Sequence, residues 1–158
     1  MRRLHLILIS SLTAFVALVF ASTAVAQNAH YISAASGLSG TSLTATFKIA
    51  GLGDSQTITV TLSADATAQF VCFNGGNNHP KAGNKETVAG PVSASGDFTS
   101  AKNGSVTGSL TTPAPGPGDF SCPSGQRLAL TFVQYANVQL SSVAGTVGLA
   151  AQTFGAPI

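Results

Sequence analysis

The chain lacks tryptophan, has two tyrosines, Tyr31 and Tyr135, and is only 8% charged. A polysaccharide platform usually presents exposed aromatic rings, so the shortage of tryptophan and tyrosine favours a protein partner over a sugar. Nucleic-acid binding would need a clustered lysine and arginine stripe, and none is present. The same sparse charge argues against adsorption to anionic lipid. The two cysteines, Cys72 and Cys122, form no Cys-x-x-Cys pair, which removes the usual zinc and thiol-exchange spacings. Helix-forming charged residues are scarce after the first segment. No helix is expected there.

What is present begins with an address. Arg2 and Arg3 precede a mostly apolar run from Leu4 to Phe20, interrupted by His5, Ser10, Ser11 and Thr13. Ala24-Val25-Ala26 then supplies a small-x-small cleavage site, so residues 1–26 read as a signal peptide and 27–158 as one secreted domain starting at Gln27. A retained anchor would need a longer and cleaner run, and no membrane span is expected after leader removal. Without the leader, Lys48, Lys81, Lys85, Lys102 and Arg127 face Asp54, Asp65, Glu86, Asp97 and Asp119. The mature net charge is therefore near zero. Export, extracellular or periplasmic according to the envelope, puts Cys72 and Cys122 in an oxidising compartment, where an even pair in a small domain forms a disulfide.

Period-two patterning runs through the rest of the chain. Leu43, Ala45, Phe47 and Ile49 alternate with Thr44, Thr46 and Lys48, and Ile58, Val60 and Leu62 repeat the scheme. Further strands are expected over Ala66 to Phe73, Thr87 to Ala94, Gly96 to Ala101, Ser105 to Thr111 and Gln126 to Leu140. Short additions are expected at Tyr31 to Ala34 and Val143 to Ala150. The adjacent apolar pair Phe132 and Val133, with Asn137 beyond it, predicts a bend in the long late strand. Seven to nine short strands with one disulfide define an all-β, antiparallel β-sandwich of Ig-like kind, with a small β-barrel as the alternative. Asn103-Gly104 marks a hairpin, and a three-residue loop with Gly104 left-handed pairs Ser100 with Val106 and gathers Phe98, Val106, Gly108 and Leu110. Asn103-Gly104-Ser105 is also a glycosylation sequon.

Two loops are candidates for recognition. The first contains Asn74, Asn77, Asn78, His79, Lys81, Asn84 and Lys85, a dense set of amides and cations beside a cysteine. With Glu86 as its one carboxylate it is poorly equipped for calcium, and a loop histidine before Pro80 is most simply solvated. The second, Pro113 to Gly118, cannot hold a central strand and is read as a stiff exposed turn. No Gly-x-Ser-x-Gly elbow, His-Glu-x-x-His or phosphate-cradling lysine loop occurs, and His30 and His79 are the histidines left after the leader. No catalytic residue, metal or cofactor is assigned.

The segments Phe47-Lys48-Ile49-Ala50-Gly51-Leu52-Gly53, Leu62-Ser63-Ala64-Asp65-Ala66, Cys72-Phe73-Asn74-Gly75-Gly76, Asn84-Lys85, Gly90-Pro91-Val92-Ser93-Ala94-Ser95-Gly96 and Cys122-Pro123-Ser124-Gly125-Gln126 together resemble a family of small exported proteins of actinobacteria and other soil bacteria. The likeness spans most of the mature chain. It implies export and the paired cysteines and carries no activity; that family has an acid where this chain has Ile49. The expectation is a secreted, non-catalytic binding module for a protein or cell-envelope component. The alternatives are a small secreted hydrolase and an inhibitor or ligand carrier.

Overall fold

A computed structural model describes residues 28–75 and 84–157. Residues 1–27, with the expected signal peptide and Gln27, and the loop residues Asn77, Asn78, His79 and Lys81 lie outside the described residues.

Eight strands follow in order: β1 (His30–Ser39), β2 (Ser42–Ala50), β3 (Thr57–Phe73), β4 (Lys85–Thr99), β5 (Val106–Thr112), β6 (Arg127–Ser142), β7 (Gly145–Gly148) and β8 (Gln152–Gly155). They form two antiparallel sheets, β1-β2-β5 and β4-β3-β6-β7, with β8 also paired to β6. Neither sheet closes into a barrel. An immunoglobulin constant-type sandwich keeps its fourth strand beside the fifth, whereas here β4 lies in the other sheet against β3. Among the described residues no helix is long and apolar enough to cross a membrane.

The strand periodicity places the core between the sheets. Leu43, Ala45, Phe47 and Ile49 of β2 are buried against Ile58, Val60, Leu62, Ala64, Ala66 and Ala68 of β3 and Val133, Tyr135, Val138 and Leu140 of β6. The intervening residues of β3 face outward. Across them runs a ladder of side chains to β4: Thr57 with Thr99 at 2.9 Å, Thr59 donating to Asp97 at 2.6 Å, and Thr61 with Ser95 at 2.8 Å. Such cross-strand pairs fix register, because a one-residue slip would turn the apolar set to water.

Two expectations need correction. The segments expected as separate strands at Ile58 to Leu62 and Ala66 to Phe73 form one strand, β3, and Thr87 to Ala94 merges with Gly96 to Ala101 in β4. The polar breaks between them are outward-facing positions of continuous ladders. The Asn103 loop does have three residues with Gly104 at φ 70°, and Ala101 N–H bonds Ser105 O at 2.9 Å, the register expected. Its flanks nevertheless part into different sheets, so the turn is a corner of the sandwich and not a flat hairpin. The apolar residues still gather, with Phe98 over Gly108 and Leu110 beside Gly96, but across the gap between sheets. The Pro113 to Gly118 segment is, as expected, a connection outside the strands with none of its residues buried, and its flanks are held at the core edge. Ala114 and Phe120 pack on the core.

The bend expected in β6 resolves into two bulges. Asn137 and Val138 oppose Ala64 alone, and Thr131 is an extra residue between the pairs Gln69 with Phe132 and Phe70 with Leu130. Asn137 takes φ 50° and its Nδ2 donates to Asp65 Oδ2 at 2.8 Å, while Thr131 Oγ1 donates to Gln69 O at 3.3 Å. Asparagine tolerates the left-handed conformation because its short polar side chain bonds locally.

Candidate functional site

Strand lengths create the site. β2 and β5 are short, and β3 and β6 run past their ends, so the large sheet projects beyond the small one. The segment 113–126 lies along this end, packed through Ala114 and Phe120, and the disulfide Cys72–Cys122 ties it to the penultimate residue of β3. The bond spans 50 residues with Cα atoms 5.5 Å apart, as expected from the sequence. Cys72 is buried, so the link anchors the base of both long connections.

Beside it the structure opens a cleft of about 250 Å³ lined by Phe73, Asn74, Gly75, Gly125, Gln126 and Arg127. Phe73 and Arg127 are direct partners in the β3–β6 ladder, which carries the guanidinium over the ring with Cζ 5.3 Å from its centroid. Stacking of this kind orders an exposed arginine while leaving its N–H fork available. Gln126 immediately precedes β6, in the segment that leads from Cys122. Its backbone N–H bonds Pro123 O at 3.1 Å, and its Oε1 is buried with no hydrogen-bond partner among the described residues. A buried orphan acceptor costs about 1–3 kcal/mol.

Of the residues singled out in the sequence, the structure therefore brings Cys72, Cys122 and Asn74 to this end. Lys85 opens β4 opposite Val71, on the far side of β3 from Arg127, and Asn84 precedes it. Sequence reasoning missed Phe73, Gln126 and Arg127 as a group. The readable signal was that both cysteines are followed closely by residues of these types, Phe73 one position after Cys72 and Gln126 four after Cys122.

The opposite end is locked. Ser100, 4% exposed, donates to Gly53 O at 2.7 Å and accepts from Gln56 N–H at 2.9 Å, and Leu52 N–H bonds Gly104 O at 3.0 Å. These bonds knit the β2–β3 and β4–β5 loops together. The aspartates Asp54, Asp65 and Asp97 accept from Ser55 Oγ at 2.8 Å, Asn137 Nδ2 at 2.8 Å and Thr59 Oγ1 at 2.6 Å. His30 Nδ1 lies 2.8 Å from Asn28 O. Among the described residues no group of three His, Cys, Asp or Glu side chains could hold a metal ion. Burial pushes the Tyr135 phenol above its ordinary range, offset in part by the Leu43 backbone.

No family model, curated protein or solved structure matches this chain.

Proposed function

We propose that the protein is an exported, non-catalytic binding module that recognises a protein or cell-envelope component at its disulfide end. The cleft between Phe73–Gly75 and Gly125–Arg127, braced by Cys72–Cys122, is the observation that carries this reading. The two packed antiparallel sheets support it, because rigid sheets hold connecting loops in fixed geometry while the loops do the binding. The likeness to small exported bacterial proteins agrees with export and adds no activity. The hydrolase alternative is weaker, since three of the five mature acids are hydrogen-bonded to hydroxyl or amide groups on the sandwich body.

The test is capture from the producing organism's envelope and culture fluid with the mature protein, in parallel with a Phe73→Ala/Arg127→Ala variant. A component retained by the native protein and lost by the folded variant supports the reading. Equal retention by both moves the recognition surface elsewhere, and chemical turnover of the captured component would restore the hydrolase.

A further inference from the structure

We propose that Asn74 is a site of spontaneous deamidation, which converts it to aspartate and isoaspartate and so places a carboxylate in the cleft. The modification stands on its own geometry; its effect on capture rests on the binding role proposed above.

Asn-Gly is the dipeptide most open to this chemistry, because glycine has no side chain to keep its amide nitrogen away from the preceding side-chain carbonyl. The chain contains it twice, at Asn74-Gly75 and Asn103-Gly104. The glycine nitrogen gives up its proton to water and attacks asparagine Cγ; a C–N bond closes a succinimide, the bond from Cγ to the side-chain nitrogen breaks, and ammonia leaves. Water then opens the ring at either carbonyl. Water is consumed, ammonia is released, and no oxidant or cofactor takes part.

The fold treats the two sites differently. Asn103 Oδ1 accepts from Ser105 N–H at 3.1 Å and from Ser105 Oγ at 2.8 Å, while Gly104 N–H donates to Ala101 O at 2.8 Å. Gly104 is buried at φ 70°, its O accepts from Leu52 N–H at 3.0 Å, and a Cβ there would stand 3.0 Å from Gly53 N. Ring closure at Asn103 would break these bonds in a corner with no spare room. Asn74 and Gly75 instead follow the last β3–β6 pair, Phe73 with Arg127, and both are exposed. An added Cβ at Gly75 would meet no described atom within 4 Å, so the ring and the water that opens it both have space. The chain just before is firmly held, since Cys72 is buried in the disulfide.

The consequence is electrostatic. Arg127 is the one charged group among the six residues lining the cleft, and Asn74 is another of the six. Deamidation turns a positive lining into a neutral one, and the isoaspartate product also lengthens the backbone at the cleft wall by a methylene. A partner drawn by the guanidinium is then held less well as the molecule ages.

The test incubates the mature protein in mildly alkaline buffer, native in one arm and reduced and unfolded in denaturant in the other, with peptide mapping by mass spectrometry and an isoaspartate-specific methyltransferase as reporter. In the native arm product should accumulate at Asn74 while Asn103 stays intact; in the unfolded arm both should convert. Gly75→Ala should slow the conversion without loss of folding, because the methyl group enters open space. Native conversion at Asn103 as fast as at Asn74, an Asn74 that survives in the native arm, or an unchanged rate in Gly75→Ala overturns the proposal. Asn74→Asp, which carries the product charge from the start, should retain less of the captured component than the native protein. If it retains as much while Phe73→Ala/Arg127→Ala retains none, the binding site stands and its control by this charge falls; if all three retain equally, the binding site itself falls and the mapping alone decides the modification.

Discussion

Gly108 of β5 lies directly beneath Phe98 of β4: a Cβ at Gly108 would stand 2.5 Å from Phe98 Cε1 and 2.7 Å from Phe47 Cζ. The two rings meet edge to face at 4.9 Å with an interplanar angle of 89°. Two sheets that share no backbone ladder at this corner are thus joined by rings resting on a bare backbone. Gly108→Ala should cost about 1–3 kcal/mol by overpacking, read as a lower denaturation midpoint. Phe98→Leu made in the same chain should return part of that loss, and strictly additive effects would show that the two positions do not press on each other.

Ser100 is the second lock. Ser100→Ala leaves Gln56 N–H and Gly53 O without their buried partner, and a loss of about 1–3 kcal/mol is expected. Faster amide exchange at Gln56 should accompany it. An unchanged midpoint would mean that water replaces the hydroxyl at no cost.

Replacing Cys72 and Cys122 together by alanine removes a link across 50 residues, worth about 4 kcal/mol in the chain-entropy account. Thermal unfolding with and without reductant measures the same quantity on the native chain. A loss below about 1 kcal/mol would assign the hold on the 113–126 segment to Ala114 and Phe120, since a few buried methylenes supply that much.

Tyr135 gives stability a pH dependence of definite sign. Burial raises its phenol above the unfolded value of about 10, so the fold favours the neutral form. That contribution is complete below about pH 10 and is lost as pH rises through the higher folded value. Denaturation midpoints should fall in that alkaline window. Tyr135→Phe should remove this fall while weakening the fold at neutral pH, because its hydroxyl donates to Thr41 O at 2.7 Å. A fall of equal size in the variant would assign the effect to other groups.

The sequence reading of a polar recognition loop predicts that alanine at Asn77, His79 and Lys81 together leaves folding almost unchanged, within about 0.5 kcal/mol for each position. Circular dichroism and a denaturation curve check this, and a loss of several kcal/mol would make the loop structural. Reduced capture in the same variant would extend the recognition surface beyond Phe73 and Arg127.

Fold class was legible because alternation is a local property: Leu43 to Ile49 and Ile58 to Leu62 are written in the sequence as they lie in the core. The disulfide was legible because two cysteines allow one pairing. Sheet membership was not. Asn103-Gly104 specifies a tight turn, but whether its flanks pair or part depends on Phe98 finding Gly108 across the gap, a contact with no local signature. The cleft was half legible for a similar reason. Polar residues next to Cys72 drew attention to Asn74, whereas the pairing of Phe73 with Arg127 across 54 positions needs the β3–β6 register, which two bulges shift by one residue each.

The first and last strands meet through side chains. Ser36 Oγ donates to Ala150 O at 2.6 Å across 114 residues, Gln152 Nε2 donates to Ser36 Oγ at 3.0 Å, and Tyr31 donates to Ser142 Oγ at 3.0 Å. The clasp can shut only once the segment after β7 is in place. The small sheet can pair its own strands before that, but its β1 edge stays open until then, so one half of the sandwich waits on residues more than a hundred positions away.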